Sequence, residues 1–314
     1  MNKIFVFPGQ GSQTIGMAKD FYENFVEAKE VFEIVDEVLN KNLTKIMFVG
    51  PEPLQTSTEN SQPAIMTASI AILRVLEKLS NLSINKLCKT TAGHSLGEYT
   101  ALCAAEALTL KDTAKLLKVR GEAFAEAGQK NSGSMVALVG ATPEQAEDVV
   151  KQAKIDGEVL QIANDNTIGQ IVLSGSVNSV DKVIEVATEM KIKRAVKLNV
   201  SGAFHSKLME PAIVKMEEVL KDVDIKNAKV NVIANFTADF EATSNEIRNN
   251  LINQITGKVR WRETMLKAQE SGIDTFVEIG NGKVLSGMVP RTCPDAKVNT
   301  INSLESLDEF LKTL

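Results

Sequence analysis

The sequence predicts an α/β protein with a smaller ferredoxin-like domain inserted into it, and three features support this prediction. A short apolar segment at 4–7 ends in a glycine-rich turn and leads into a helical pattern, which makes a β-loop-α unit. A second such unit follows at 89–107, where a strand runs through a tight turn into a helix. Between 134 and 200 the predicted order is β-α-β-β-α-β, which is typical of ferredoxin-like domains.

The elements of the larger domain come from both ends of the chain. Before the insertion, strands or helices are predicted at 4–7, 17–39, 61–79, 89–92, 99–107 and from residue 110 onward. After it, they are predicted at 210–220, 230–234 and 275–279, with further helices at the C-terminal end. The insertion holds elements at 134–139, 143–153, 159–163, 171–175, 180–191 and 195–200. We therefore expect a discontinuous larger domain, 1–128 and 201–314, and a smaller domain, 129–200.

Composition excludes several classes of function. With 314 residues, 44% of them hydrophobic, the chain can bury roughly three quarters of its unfolded surface. A net charge of -5 argues against a nucleic-acid-binding protein, which needs a basic face. The three cysteines lack the spacing of a disulfide framework or zinc site, so no metal is expected. The apolar run at 4–7 is too short for a signal peptide or membrane span, and we expect a cytoplasmic protein without a membrane partner.

The segment Gly93-His94-Ser95-Leu96-Gly97 matches the G-x-S-x-G nucleophile elbow. Glycines two residues before and after the serine permit a tight strand-to-helix turn without Cβ clashes. Such a turn exposes the serine hydroxyl and leaves the amide of Leu96 free at a helix N-terminus, where it can stabilise an oxyanion. The position between a predicted strand and helix favours Ser95 as a nucleophile over a purely structural turn.

A serine nucleophile needs a base, and the chain contains only two histidines, His94 and His205. Side chains of neighbouring residues diverge at a sharp elbow, so His94 is better placed to support the site than to deprotonate Ser95. His205 follows a run of small residues after a predicted strand, which suits a loop that delivers an imidazole to a cleft. We expect His205 to be the base, with a buried structural histidine as the alternative. No acidic residue stands out as its partner, so a backbone carbonyl could orient the ring.

Two further features are weak by themselves. The glycine-rich segment at 9–13 resembles a nucleotide-binding turn, but Gly16 breaks the G-x-G-x-x-G spacing. Gln10 in such a loop can instead contribute an amide to an oxyanion hole. Arg120 lies on the helix that begins near residue 110, where a lone arginine is usually solvated or paired with a carboxylate.

Taken together, five ordered segments resemble malonyl-CoA:acyl-carrier-protein transacylases over nearly the whole chain. They are GQGSQ at 9–13, GHSLGE at 93–98, VRG at 119–121, GAFHS at 202–206 and VRW at 259–261. The resemblance implies an α/β-hydrolase-like core with a parallel sheet and an inserted ferredoxin-like subdomain. It also implies transfer of malonyl from malonyl-CoA to acyl carrier protein in fatty acid synthesis, through a malonyl-serine intermediate.

The resemblance also implies roles for individual residues. The catalytic serine and histidine map onto Ser95 and His205, and the oxyanion amides onto Gln10 and Leu96. The arginine that binds the malonyl carboxylate maps onto Arg120. The carbonyl that orients the histidine maps onto Gln254, which precedes the VRW segment. The remaining substrate contacts map onto His94, Asn164, Asn166 and Phe204, and the bulk of Phe204 favours malonyl over branched acyl groups.

Four positions depart from the family pattern. Phe124 stands where methionine is commoner, and Gly257, Ile168 and the segment 280–282 lack a usual proline. These positions line or support the cleft, so the acyl groups accepted and the contacts of Asn164 and Asn166 are less determined than the catalytic set.

Two other classes of protein remain as alternatives. An esterase or thioesterase with the same elbow would pass the acyl group to water, and a non-catalytic scaffold would bind only the carrier protein. The presence of Arg120 and the absence of an acidic partner for His205 favour the transferase. We expect a monomer that needs no cofactor besides its substrate. A basic run that includes Lys191, Lys193, Arg194 and Lys197 is a candidate docking surface for an acidic carrier protein.

Overall fold

The computed structural model describes residues 2–314 and contains two separate β-sheets. The first sheet has six strands in the order β10-β9-β1-β2-β7-β8. Its strands are Lys3–Phe7 (β1), Thr90–Gly93 (β2), Asn231–Ile233 (β7), Phe240–Glu241 (β8), Thr275–Ile279 (β9) and Lys297–Ile301 (β10). All neighbouring pairs are parallel except β7 and β8, which are antiparallel. This is the predicted parallel sheet, extended by two edge strands, β8 and β10, that were not predicted from the sequence.

The second sheet is the predicted ferredoxin-like unit. Its strands are Gly133–Val139 (β3), Leu160–Thr167 (β4), Gln170–Ser176 (β5) and Arg194–Lys197 (β6). They are antiparallel throughout, in the order β4-β5-β3-β6. Helices Pro143–Ala153 (α9) and Val177–Glu189 (α10) connect β3 to β4 and β5 to β6. Apolar residues of both helices and of the sheet form a core of their own. The domain limits 128/129 and 200/201 stay a prediction.

The remaining helices belong to the part of the chain that carries the parallel sheet. Before β3 they are Lys19–Asn24 (α1), Val26–Leu39 (α2), Leu43–Val49 (α3), Glu52–Thr56 (α4), Thr58–Ser80 (α5), Ile84–Leu87 (α6), Leu96–Ala104 (α7) and Leu110–Lys130 (α8). After β6 they are Pro211–Lys221 (α11), Ser244–Asn253 (α12), Trp261–Glu270 (α13), Val289–Thr292 (α14) and Leu304–Leu311 (α15), with a 3₁₀ turn at Lys207–Met209. No helix within 2–314 is long and apolar enough to cross a membrane.

Two predicted helices differ from the observed ones for local reasons. The single helix expected over 17–39 is broken at Phe25, whose backbone is extended at φ -133° and ψ 127° and separates α1 from α2. The helix expected at 61–79 begins earlier, at Thr58, so that Pro63 lies inside it. The early turns of α5 are held by amides of residues 60 and 61, which donate to the Ser57 carbonyl. This helix is buried over most of its length, so packing overrides the local cost of proline.

The two sheets are joined by contacts between β4 and the segment that contains Val259. Residues 163 and 165 of β4 exchange backbone hydrogen bonds with Val259, so that the segment after α12 forms an isolated parallel bridge with β4. Asp165, which is buried, forms an ion pair with Arg262 across this junction at 2.7 Å. The junction fixes the position of the second sheet relative to the C-terminal ends of β1, β2 and β7. In open α/β sheets, that edge is where ligands bind.

Candidate active site

The turn between β2 and α7 presents Ser95 in a conformation that side-chain-bearing residues rarely adopt. Its backbone lies at φ 54° and ψ -111°, outside the regions that are sterically comfortable for serine. A Cβ atom on Gly93 would lie 1.9 Å from the carbonyl oxygen of Gly97, and one on Gly97 would lie 2.3 Å from that of Phe7. Both positions therefore require glycine. The strained turn holds the hydroxyl at the C-terminal edge of the parallel sheet, as predicted for a nucleophile elbow.

His205 is placed to accept the proton of Ser95. Its Nε2 atom lies 2.8 Å from Ser95 Oγ, and its Nδ1 atom lies 2.7 Å from the backbone oxygen of Gln254. A carbonyl oxygen can only accept a hydrogen bond, so Nδ1 carries the proton and the lone pair of Nε2 faces the hydroxyl. Burial, together with the charge of Arg120, lowers the pKa of His205 to about 3. The imidazole is therefore neutral at neutral pH.

Arg120 projects from α8 into the same site and is almost completely buried, with 1% of its surface exposed. Its Nη2 atom donates to Ser95 Oγ at 3.1 Å and to the side-chain oxygen of Gln254 at 2.9 Å. Its Nη1 atom donates to Gln62 at 2.7 Å, and its guanidinium lies 4.2 Å from the ring centre of Phe124. Burial lowers the pKa of Arg120. No carboxylate pairs with this guanidinium among residues 2–314, so it can bind an acidic substrate group.

The phenylalanine at position 124 is thus part of the site. Phe124 stacks on the guanidinium from one side and contacts Phe204 at a ring-centre distance of 5.4 Å. Phe204 is 7% exposed and lies next to His205, so the two rings form one apolar wall beside the charged group. A cation over an aromatic face is attracted by the ring quadrupole. The departure from methionine at this position therefore adds a contact to Arg120.

Two backbone amides could stabilise an oxyanion at Ser95. Within the described residues, neither the Leu96 amide nor the Gln10 amide donates a hydrogen bond inside the protein. Leu96 is the first residue of α7, where the helix dipole favours negative charge. The segment before Gln10 is packed against the elbow, because a Cβ atom on Gly9 would lie 2.6 Å from the carbonyl oxygen of His94. Both predicted amides therefore belong to segments that meet at Ser95.

His94 does not contact the hydroxyl of its neighbour Ser95. Its Nε2 atom is hydrogen-bonded to Asn166 Oδ1 at 2.8 Å, and its ring packs on that of Trp261. Burial lowers the pKa of His94, which keeps its ring neutral. Asn164 is buried two residues before Asn166 on β4 and pairs through its backbone with Val259. His94 and Asn166 thus connect the elbow to the second sheet, while their contacts with substrate stay predictions.

The structure also explains why position 257 is a glycine. A Cβ atom at this position would lie 2.5 Å from the ring of Phe236 and 2.6 Å from the backbone oxygen of Asn253. Phe236 follows β7 and is 38% exposed at the edge of the site. An aromatic side chain from the turn after β7 therefore takes the space that a larger residue at 257 would need.

Several residues of the site were missed by the sequence analysis. Asn235 follows β7; its side chain accepts from the Ser95 amide at 2.7 Å and donates to the Gly93 carbonyl at 2.7 Å. Glu98, the last residue of GHSLGE, accepts from the Asn235 amide and from the side chain of Gln254. Gln161 of β4 donates to the backbone oxygens of His205 and Thr256. Asn235 could have been suspected because it directly follows the strand predicted at 230–234, at the ligand-binding edge of the sheet.

The side chain of Gln254 was also missed, because the resemblance implied only its backbone oxygen. Its amide oxygen accepts from Arg120, and its amide nitrogen donates to the Ser95 carbonyl at 3.0 Å and to Glu98 at 2.8 Å. The buried Gln254 is thus hydrogen-bonded to Ser95, His205 and Arg120, the three residues that carry the functional groups of the site. Within 2–314 there is no cluster of three or more His, Cys, Asp or Glu that could hold a metal ion.

The parallel sheet with its serine elbow and facing histidine is the arrangement of an acyl transferase domain, and residues 4–307 match the family described as acyl transferase domain. A malonyl CoA-acyl carrier protein transacylase from Bacillus subtilis is 44% identical over 315 residues, covering 100% of this chain and 98% of the relative. The chain belongs to the malonyl CoA-acyl carrier protein transacylase family.

Solved structures agree with this assignment. An acyl-carrier-protein-S-malonyltransferase from Bartonella henselae is 45% identical, with a TM-score of 0.95 over 100% of this chain and 99% of its own. A malonyl-transacylase in complex with its type II PKS acyl-carrier protein is 32% identical, with a TM-score of 0.95 over all of both chains. The predicted α/β-hydrolase-like core with an inserted α+β subdomain is confirmed by these neighbours.

Proposed function

We propose that this chain transfers the malonyl group of malonyl-CoA to the phosphopantetheine thiol of acyl carrier protein, through a malonyl ester on Ser95. The observation that best supports this proposal is that the hydroxyl oxygen of Ser95 contacts both His205 and Arg120. Ser95 Oγ lies 2.8 Å from His205 Nε2 and 3.1 Å from Arg120 Nη2. A base and a carboxylate-binding cation therefore meet at a single nucleophile, as transfer of an acidic acyl group requires.

In the first half-reaction Ser95 Oγ attacks the thioester carbonyl of malonyl-CoA, and its proton moves to His205 Nε2. The Gln254 carbonyl, hydrogen-bonded to Nδ1, stabilises the imidazolium that forms. The amides of Gln10 and Leu96 stabilise the tetrahedral oxyanion, and removal of one such donor typically costs about 3 kcal/mol. Collapse of the intermediate breaks the C–S bond, and coenzyme A leaves with the proton from His205.

Arg120 binds the free carboxylate of the malonyl group. That carboxylate lies one methylene beyond the reacting carbonyl, and Arg120 Nη2 is already within hydrogen-bonding distance of Ser95 Oγ. A charge-assisted contact of this kind contributes about 1.5 to 3 kcal/mol. Because the charge of Arg120 helps to lower the pKa of His205, pairing of Arg120 with the malonyl carboxylate also makes His205 a stronger base.

In the second half-reaction the phosphopantetheine thiol enters the same site. His205 Nε2 takes the thiol proton, the thiolate attacks the ester carbonyl, and the Ser95 oxygen leaves and recovers a proton from His205. The two substrates use one site in turn, so the kinetics are ping-pong. The protein needs no cofactor in this scheme, and a cytoplasmic role in fatty acid synthesis is consistent with it.

The experiment that tests this proposal is product analysis with malonyl-CoA and a phosphopantetheinylated acyl carrier protein. The expected product is the malonyl carrier protein, with parallel lines in double-reciprocal plots of initial rate. Release of free malonate at the same rate with or without the carrier would indicate a hydrolase instead. A chain that neither turns over malonyl-CoA nor reacts with a serine-directed phosphonate would be a non-catalytic scaffold.

A further inference from the structure

Glu98 is a fully buried carboxyl group that lies behind the site rather than in it. One of its two oxygens, Oε2, accepts two hydrogen bonds, from the backbone amide of Asn235 at 2.9 Å and from Gln254 Nε2 at 2.8 Å. The other oxygen, Oε1, has no partner within 2–314. A buried carboxyl with an unpartnered oxygen has a desolvation cost, so its retention at this position calls for a functional explanation.

The amide of Gln254 has two possible orientations, which exchange its nitrogen and oxygen. In the observed one, the nitrogen donates to Glu98 Oε2 and to the Ser95 carbonyl, and the oxygen accepts from Arg120 Nη2. In the flipped orientation, the oxygen would face two acceptors and the nitrogen would face a guanidinium donor. Gln254 is completely buried, so water cannot relieve these mismatches.

Glu98 contributes to this choice because its engaged oxygen can act only as an acceptor. An acceptor at this position selects the orientation that turns the amide oxygen of Gln254 toward Arg120. That oxygen and the side-chain oxygen of Gln62 are the two amide acceptors of the guanidinium, one for Nη2 and one for Nη1. The orientation of the guanidinium therefore depends on a carboxyl that does not contact it by a hydrogen bond.

We propose that Glu98 is a positioning residue for recognition of the malonyl carboxylate: it fixes the amide of Gln254, which in turn holds the Arg120 guanidinium where it can bind an acidic acyl group. The proposal rests on the proposed function, because it assumes that Arg120 binds this carboxylate. Burial raises the pKa of Glu98 to about 7, and a proton on the unpartnered Oε1 would leave Oε2 an acceptor. The contact to Gln254 is thus available in both protonation states.

The test compares acylation of Ser95 by two donors, malonyl-CoA and p-nitrophenyl acetate, whose acyl group carries no carboxylate. The measured quantity is the ratio of the two second-order rate constants, with Ser95→Ala as the blank. Glu98→Leu removes the acceptor, and we expect the ratio to fall by about tenfold or more. Glu98→Gln retains an oxygen that can accept from both donors, and its ratio should stay within about threefold of the parent.

A double-mutant cycle isolates the route through Gln254. Gln254→Leu keeps the backbone carbonyl that binds His205 but removes the amide, and it should lower the ratio about as much as Glu98→Leu does. The double variant should then show no further decrease, because the second change acts on a contact already lost. Glu278→Leu is the matched control: this buried carboxylate accepts from the amides of Leu285 and Ser286 and has no hydrogen bond to Gln254 or Arg120. It should lower stability without changing the ratio.

Three results would overturn the proposal. They are an unchanged ratio in folded Glu98→Leu, a double variant whose loss is the product of the single losses, and a Glu98→Gln ratio as low as that of Glu98→Leu. If Glu98→Leu does not fold, Glu98→Asp replaces it, because the shorter side chain withdraws the acceptor; an unchanged ratio there also overturns the proposal. A parent chain that is not acylated by malonyl-CoA would contradict the proposed function itself.

Discussion

Ser95 Oγ and His205 Nε2 lie 2.8 Å apart, and both residues have a positive φ, at 54° and 56°. Neither residue is glycine, so each conformation has an energetic cost that the surrounding structure must offset. Asn235 caps the serine turn, and Gln161 holds the backbone oxygen of His205. The geometry of the pair is therefore maintained by one residue that follows β7 and by one from the second sheet.

Arg120→Ala should lose malonyl transfer while retaining acylation by neutral esters. The guanidinium is the cation that can pair with the malonyl carboxylate, and loss of a charge-assisted contact should lower kcat/KM for malonyl-CoA by about 10- to 150-fold. The measurement is kcat/KM for malonyl-CoA beside the acylation rate with p-nitrophenyl acetate. Arg74→Ala is a suitable control, since Arg74 pairs with Glu77 and has no contact with the site. Malonyl-CoA turnover at the parental rate in Arg120→Ala would contradict the assignment.

Acylation of Ser95 should not decrease between pH 6.5 and 5. An ordinary histidine has a pKa of about 6.5 and would be mostly protonated, and inactive as a base, at pH 5. Burial and the charge of Arg120 lower the pKa of His205 to about 3, so its Nε2 lone pair stays available over this interval. The rate is measured with p-nitrophenyl acetate, whose acyl group does not titrate. A rate that halves near pH 6.5 would indicate an exposed or differently paired imidazole.

The free energy of unfolding should fall as pH rises from 5.5 to 8.5, partly because of Glu241. Burial and the nearby Glu98 raise the pKa of Glu241 to about 8, well above its ordinary 4.5. Between pH 4.5 and 8 the folded state therefore keeps a proton on Glu241 that the unfolded state has released. The contribution of Glu241 to the free energy of unfolding is complete below pH 4.5 and is lost as the pH rises through 8. Urea denaturation of Glu241→Gln should show a shallower decrease than that of the parent.

Glu246→Gln is the control for this slope. Backbone amides of residues 242 and 243 lower the pKa of Glu246, so its contribution is already complete above pH 4.5 and does not change between 5.5 and 8.5. Its substitution should lower stability by a similar amount at each pH. Equal slopes in the parent and in Glu241→Gln would show that Glu241 is ionised in the folded protein throughout this range.

Gly97→Ala should disrupt both stability and acylation. The added Cβ would lie 2.3 Å from the Phe7 oxygen and 2.9 Å from the Pro8 oxygen, both backbone atoms that cannot move independently of β1. Overpacking typically costs about 1 to 3 kcal/mol, and here it also separates the elbow from the loop that contains Gln10. Gly287→Ala, whose nearest contact would be 3.1 Å, is expected to lose less stability. Urea midpoints and acylation rates of the two variants distinguish these outcomes.

Much of this architecture could be predicted because local sequence patterns indicate its strands, helices and turns. The strand Thr275–Ile279 and the order of elements between Gly133 and Lys197 follow from runs of apolar residues punctuated by turns. The elbow could be predicted because two glycines and a serine at fixed spacing define one backbone turn. The edge strand β10 was missed because its residues are only partly buried and its apolar signal is weak.

The supporting contacts of the site could not be predicted from local patterns, because they join residues far apart in the chain. The amide of Asn235 donates to Glu98 over a separation of 137 residues, and Gln254 reaches Ser95 over 159. A glutamate or a glutamine looks the same in the sequence whether it is buried beside a site or exposed on the surface. Only the packing of β2, β7 and α12 brings these groups together.

The proposed mechanism depends most directly on a covalent malonyl group at Ser95 that moves to a carrier protein. Intact-mass spectrometry after brief mixing with malonyl-CoA should show an added mass of about 86 Da, which is absent in Ser95→Ala. Addition of phosphopantetheinylated acyl carrier protein should remove that mass from the enzyme and place it on the carrier. An unmodified enzyme, or an adduct that also forms in Ser95→Ala, would contradict the central claim.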